Sequence, residues 1–297
     1  MAAPTQPTAT SIVTEAYRKY GISSPGTAVV NTAISEGIEK VKRDMWALSQ
    51  RWKPLIKFGY DMTVKGISKY PYPADYEFLK SIAVWEGTAT GTFQGGAVGT
   101  STLAATEAIT QDSAEGALLA ITSGQGVDQA VQIDDYNTTT KVAIHAESLT
   151  TAPNASSTYL VAVQQYMLGK EDSLGLRGKS SPTLNGRPHT YYPLDDIYSG
   201  KYELELVPDK VYLLRMEYYA NLLLIDVADT PGLYNKLLYN WAGVWTQGVY
   251  TWILDQYEDA RYHAQEQIYT AMLRRLAAKD SDYHNQSQLQ ARSRSRR

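Results

Sequence analysis

No cysteine occurs in the chain, which excludes a disulfide framework, a thiolate zinc site and a cysteine nucleophile. Histidine is scarce as well. His145, His189, His263 and His284 lie far apart and in no metal-ligand spacing, so no metal or cofactor is expected. Phenylalanine falls to 3 residues while tyrosine rises to 23, and a ring that packs on one side and hydrogen-bonds on the other suits surfaces that meet other proteins. Neither sign of charge dominates: 28 basic against 31 acidic residues leave −3, too little basic character to coat nucleic acid by charge alone. Long apolar runs are missing except for the uncharged stretch Leu237 to Leu254, where Asn240, Thr246, Gln247 and Thr251 would be costly against lipid. A helix buried in protein is expected there, without membrane contact. Met1 to Thr10 has neither the basic nor the apolar region of a secretory leader, so the chain is expected to stay where it is made.

At 297 residues, room exists for about two domains. A first helix is expected from about Thr10 to Tyr20, closed by Gly21. Ser24 and Pro25 then start a long helix whose seam is Ile34, Ile38, Val41, Met45, Leu48 and Trp52, with Glu36–Lys40 and Glu39–Arg43 pairs on its other side. Pro54 ends it, and Phe58, Tyr60, Met62 and Val64 alternate as a half-buried strand. Near the C-terminus Tyr202 to Leu206 and Tyr212 to Tyr218 alternate about Pro208-Asp209 as a hairpin. Thr230 and Pro231 start a further helix with a seam of Leu233, Leu237, Trp241, Val244, Gly248 and Trp252. The last helix, from about Gln256 to Lys279, carries Ala260, Ala264, Ile268, Ala271 and Leu276 on one side. Trp52, Trp241 and Trp252 are the expected packing residues.

Between residues 87 and 160 the composition shifts to Gly, Ala, Ser and Thr, and Lys141 alone stands against Glu107, Asp112, Glu115, Asp128, Asp134, Asp135 and Glu147. Short β-rich runs there predict a small all-β module. The fold class expected is therefore α+β: a helical bundle body with β-hairpins, 1–86 and 161–280, an inserted β domain, 87–160, and a C-terminal arm, 281–297. Deleting Gly87 to Tyr159 is expected to leave a soluble helical protein.

No catalytic constellation emerges, and no enzyme activity is expected. Asp134-Asp135 and Asp195-Asp196 read as solvated turn carboxylates, and Gly124-Gln-Gly126 lacks the third glycine and the Lys-Ser/Thr of a phosphate loop. The end of the chain, Asn285 to Arg297, is polar, free of acid, and carries Arg292, Arg294, Arg296 and Arg297. On composition alone three readings stay open: contact with nucleic acid, an arm that folds onto a partner, and a solvated tail.

The order of several short segments resembles the head-to-tail adaptor (connector) proteins of tailed bacteriophages. These are Arg51-Trp-Lys-Pro-Leu55, Tyr70-Pro-Tyr-Pro-Ala-Asp-Tyr76, Asn185-Gly-Arg-Pro188 with Tyr191-Tyr192, Tyr202-Glu-Leu-Glu-Leu-Val-Pro-Asp209 and Tyr212-Leu-Leu-Arg-Met-Glu-Tyr-Tyr219, with Asp259-Ala260 and Tyr269-Thr-Ala-Met-Leu273 at the end. Residues 87–160 resemble a β-module of phage structural proteins through Ile121 to Gly126 and Leu149 to Pro153. The resemblance implies a ring, commonly of twelve copies, in the virion neck, assembled in the host cytoplasm, that joins the portal to a tail or nozzle protein and lets double-stranded DNA pass without reading its sequence. It also implies that the C-terminal arm docks on the portal, with Leu289 as anchor and Arg292, Arg294, Arg296 and Arg297 pairing around it. The alternatives are a carbohydrate- or receptor-binding virion protein using the acidic β-module, and, more distantly, a glycan hydrolase acting through Asp134 or Asp195.

Overall fold

The computed structural model describes residues 8–49, 51–170, 184–194, 200–224 and 233–294, with the side chains of 233–240 and 281–294 left aside. They fall into two units, one of Met1–Lys57, Asp75–Phe78 and Tyr219–Arg297, the other of Phe58–Ala74 and Leu79–Tyr218.

In the first unit, α1 (Ala9–Tyr20) starts with a reciprocal cap in which the Thr8 hydroxyl accepts the Ser11 N–H and the Ser11 hydroxyl accepts the Thr8 N–H. Gly21 closes it at φ 111°, a left-handed conformation that glycine adopts without strain. The long second helix expected from the seam is broken into α2 (Thr27–Thr32), a π-helical segment Ala33–Ile38, and α3 (Glu39–Leu48). Gly37 lies within that segment, where a Cβ would come within 3.1 Å of the Trp252 ring. A π turn takes up an extra residue and shifts the helical register. The ion pairs in α3 form between Lys40 and Asp44 (2.9 Å) and between Lys42 and Glu39 (2.7 Å) rather than in the expected pairs.

The next helix, α4 (Leu233–Gln256), is buried on every side from Val244 to Leu254, not along one seam. Two of its buried polar side chains are satisfied, Thr251 donating to the Gly248 carbonyl at 2.7 Å and Gln247 Nε2 to Gln265 Oε1 at 3.0 Å. The turn into α5 (Tyr262–Arg294) places Glu258 at φ 51° and is held by a two-pronged Arg261–Asp259 pair at 2.9 and 2.7 Å. Hydrogen bonds from Arg261 hold the Asp259 carboxyl down at about 2. Tyr269 and Leu273 are the buried face of α5, whereas Ala264, Ile268 and Ala271, expected inside, face outward. The tyrosine ring wins because it buries more area and its hydroxyl still reaches Asp44 Oδ2, 3.1 Å away. Among the described residues no helix is long and apolar enough to cross a membrane.

Gly248 marks the tightest approach in this unit. A Cβ there would stand 2.4 Å from Val41 Cγ2 and 2.8 Å from the Tyr269 ring. Gly248→Ala is expected to cost about 1–3 kcal/mol through overpacking. A chemical denaturation midpoint equal to that of the parent would contradict this packing.

Among the described residues thirteen strands follow one another: β1 (Ile56–Met62), β2 (Lys69–Pro71), β3 (Tyr76–Thr92), β4 (Gly95–Ala97), β5 (Thr100–Thr102), β6 (Leu118–Ser123) and β7 (Ala130–Asn137). After them come β8 (Val142–His145), β9 (Thr158–Met167), β10 (Gly169–Lys170), β11 (Thr190–Pro193), β12 (Lys201–Leu204) and β13 (Tyr212–Ala220). Nine form one sheet in the order β1-β13-β3-β9-β6-β7-β8-β5-β4, and four form a smaller one, β10-β11-β12-β2.

The expected helical bundle body is thus overturned: among the described residues the largest element is an antiparallel nine-stranded sheet, beside five α-helices, the π-helical segment and short helical turns at Lys53–Leu55, Gln111–Ala114 and Leu222–Leu224. The physical reason lies in long-range pairing. β13 inserts between β1 and β3, strands far from it in sequence, and β12 leaves it to join β2 and β11, so the hairpin expected at Pro208-Asp209 does not form. β3 and β9 run unbroken across residue 87 and residue 160, from Ala83↔Met167 to Thr92↔Thr158. The change in composition at Gly87 coincides with a register shift, and a Cβ on Gly87 would meet Leu160 Cδ1 at 2.4 Å. One core of this unit gathers Phe93, Leu103, Leu119, Ile133, Tyr136 and Tyr159. A second joins Ala83, Trp85 and Leu213 to Leu118, Ala120 and Leu160.

Candidate functional site

Three of the segments that drew attention in the sequence, at Tyr70, Tyr191 and Tyr202, meet in the smaller sheet. Tyr202 pairs with Tyr70 across β12 and β2, and Leu204 with Tyr191 across β12 and β11. Their rings cluster: the Tyr202 centroid lies 5.2 Å from Tyr72, 5.9 Å from Tyr70 and 6.5 Å, edge-on, from Tyr191. Tyr202 is fully buried, its hydroxyl finds no hydrogen-bond partner among the described residues, and burial pushes its pKa far above the usual phenol value. Tyr70 is used differently. Its hydroxyl accepts the Val64 N–H at 3.0 Å and donates to the Ile67 carbonyl at 2.7 Å, which staples the loop between β1 and β2.

In the first unit, Trp52 and Trp241 are brought together edge to face, 5.3 Å between ring centres. Trp52 is fully buried and donates its indole N–H to the Met45 carbonyl at 3.1 Å. Trp241 is only half-buried. It takes non-helical angles, φ −130° and ψ 23°, which kink α4, and with Pro54, Val244, Met272 and Leu276 it lines a groove of about 550 Å³. Lys53 and Lys279 border the groove, and the Asp280 carboxylate accepts the Lys53 N–H at 3.2 Å. Trp252 packs elsewhere, against Gly37, and Trp245, which no sequence pattern singled out, is buried completely.

The chain matches no protein-family model and no curated protein sequence.

The arm residues divide. Leu289, Arg292 and Arg294 lie on the backbone of α5, which runs as one helix to Arg294, and Arg296 and Arg297 lie outside the described residues. From Tyr262 to Arg294 there is neither glycine nor proline, so nothing in the backbone stops the helix where the apolar residues thin out.

The carboxylate pairs give no dyad. Asp134 and Asp135 are both exposed because the register shift between Ile133 and Asp135 breaks the alternation of β7, and Asp195-Asp196 lies outside the described residues. Gly124 and Gly126 take φ 83° and 81° in the turn between β6 and β7. The aromatic residues within 87–160, Phe93, Tyr136 and Tyr159, are all buried, so this module offers no ring for a sugar to stack on. Among the described residues no group of three or more His, Asp or Glu could hold a metal ion.

His145 on β8 is the one buried histidine among those described; His189 and His263 are exposed and His284 is not among the described side chains. Its Nδ1 lies 3.2 Å from the Val98 carbonyl and its Nε2 is buried without a partner among the described residues. Desolvation lowers its pKa. The unfolded chain therefore takes up a proton near the ordinary value of about 6.5 while folded His145 still resists it. This stabilisation is complete above that value and is lost as pH falls from there toward the lowered folded pKa. His145→Phe is expected to show a shallower fall in melting temperature between about pH 7.5 and pH 5 than the parent. Equal slopes for the two proteins would contradict the assignment.

Proposed function

We propose that the chain is a structural subunit of the virion neck of a tailed bacteriophage, assembled as a ring of twelve copies that joins the portal to the tail or nozzle protein and prolongs the DNA channel. It is not an enzyme on this reading, and DNA passes it without sequence recognition. The observation that carries the reading is the convergence of the resembling segments. Tyr70 and Tyr72 lie far in sequence from Tyr191 and Tyr202, and the four rings pack into one cluster beside the smaller sheet. The long α5, about 50 Å at 1.5 Å per residue, suits an element that reaches from one protein to another.

The C-terminal arm is assigned to the portal. Leu289 is the one aliphatic side chain larger than alanine beyond residue 280, and Arg292, Arg294, Arg296 and Arg297 form charge-assisted hydrogen bonds with portal acceptors once water is excluded. Truncation after Asp280 removes none of the described packing residues, since Tyr269, Leu273, Leu276 and Asp280 remain. The truncated protein is expected to keep its circular dichroism spectrum and to lose co-sedimentation with the portal. Undiminished co-sedimentation overturns the arm assignment, and loss of DNA binding with portal attachment retained favours nucleic acid as the arm's target.

A further inference from the structure

Of the eight asparagines in the chain, Asn185 is the one followed by glycine. That neighbour has a chemical consequence. The backbone nitrogen after an asparagine can attack the side-chain carbonyl carbon and expel ammonia, and water then opens the resulting five-membered imide to aspartate or isoaspartate. Glycine has no Cβ to crowd the attack or to restrict the rotation it needs. The Asn185 side chain is exposed, so water has access to it.

The backbone is held against this reaction. Asn185 forms a parallel bridge with Val207, in which the Gly186 N–H donates to the Val207 carbonyl at 2.9 Å and the Val207 N–H to the Leu184 carbonyl at 3.1 Å. The attacking nitrogen is therefore engaged through its own proton, and the bridge keeps the chain on both sides of Asn185 extended. For the imide to close, the Gly186 N–H must leave the Val207 carbonyl and the Asn185–Gly186 peptide must rotate toward the side chain.

The residues that follow tie the segment down a second time. The Arg187 guanidinium lies 3.8 Å from the centre of the Tyr166 ring on β9, and its Nη1 is 3.6 Å from Glu86 Oε2 on β3. Pro188 is buried. The reactive peptide thus sits between the bridge to Val207 and the Arg187 clamp, and the segment leaves the sheet only when both let go.

We propose that Asn185 is a latent modification site, deamidated by the Gly186 nitrogen when the Val207 bridge opens, and that Arg187 is the clamp that keeps the bridge shut. The step needs only water. The bond from the Gly186 nitrogen to Asn185 Cγ forms as the carboxamide C–N bond breaks, the Gly186 proton leaves with the ammonia, and water adds across the imide. Isoaspartate lengthens the backbone by one methylene and adds a carboxylate, and a chain with an extra backbone atom no longer matches the hydrogen-bond spacing of the bridge. One opening is in this way made permanent. Every group involved lies within the second unit, so the proposal stands apart from the neck reading.

The test follows the full chain with time in mildly alkaline buffer and, in parallel, in urea at a concentration that unfolds it. The mass gain and the isoaspartate content of the peptide carrying residue 185 are measured. In the folded chain Asn185 is expected to react at least about tenfold more slowly than in urea, the scale set by two backbone hydrogen bonds that open before the chemistry. Arg187→Ala, which removes the clamp and leaves the Asn-Gly pair intact, is expected to react faster than the parent in buffer and at the parent's rate in urea. Equal rates for the parent in buffer and in urea overturn the proposal, whatever the folding of the variant. A folded Arg187→Ala protein that reacts no faster than the parent overturns the role given to Arg187.

Discussion

Trp245→Ala is expected to destabilise the helical unit by about 3–5 kcal/mol, the range for deleting a large ring from a well-packed core. Trp245 is fully buried in the middle of α4, on the stretch that has core on every side, and neighbours that are themselves held by α1 and α3 cannot collapse into the space. Trp241→Ala, four positions earlier on the helix and bordering the open groove, is expected to lose distinctly less, because its ring is partly solvated already and its removal leaves a wider groove rather than a sealed cavity. Trp252→Ala belongs with Trp245, since the Trp252 ring is 8% exposed and fills the space left by Gly37. Guanidinium denaturation of the three variants measures the order. A Trp241 variant as damaged as the Trp245 variant would mean that the groove is closed in solution.

Deleting Gly87 to Tyr159 is expected to give an aggregated product, the reverse of what the composition suggests. The deletion removes β6, which pairs with β9 through Leu118↔Ala162 and Leu119↔Val161, so the remnant of β9 becomes an open edge. It also strips Leu118 and Ala120 from the core they share with Ala83, Trp85, Ala162 and Leu213. At about 25 cal/mol per Å² the newly exposed side chains cost several kcal/mol, a large part of the stability of an ordinary domain. Size-exclusion chromatography and circular dichroism of the deletion variant decide the matter. A monodisperse protein with a cooperative melt would show that 87–160 is dispensable to the rest.

What could be read from the sequence was local. The Gly21 cap of α1, the existence of a strand around Phe58 and the uncharged helix near Leu237 to Leu254 each follow from a few neighbouring residues, although Phe58 and Val64, expected on the buried face, are exposed and Val64 lies beyond the strand. The partners of each strand were not legible. Alternation at Tyr212 to Tyr218 specifies a strand with one buried face, but not that β1 and β3 flank it, because pairing is decided by long-range packing that leaves no mark on either strand alone. The break in composition at Gly87 suggested a domain boundary, and what it marks is a bulge within a continuous strand. The π-helical turn was not legible, and the close approach of the Trp252 ring to Gly37 within it involves a residue more than two hundred positions away. Of the candidate site, Trp52 and Trp241 were read as packing residues and do meet, whereas Trp245 was overlooked because a helix buried on all sides has no seam to betray it.

The central claim is that this chain forms the ring between portal and tail, and symmetry-resolved cryo-electron microscopy of the particle neck tests it most directly. The account predicts twelve copies in a single ring immediately beneath the portal, with α5 of each copy in contact with a portal subunit. A neck whose density is filled without this chain, or the chain located in a fibre or spike away from the channel axis, would contradict it.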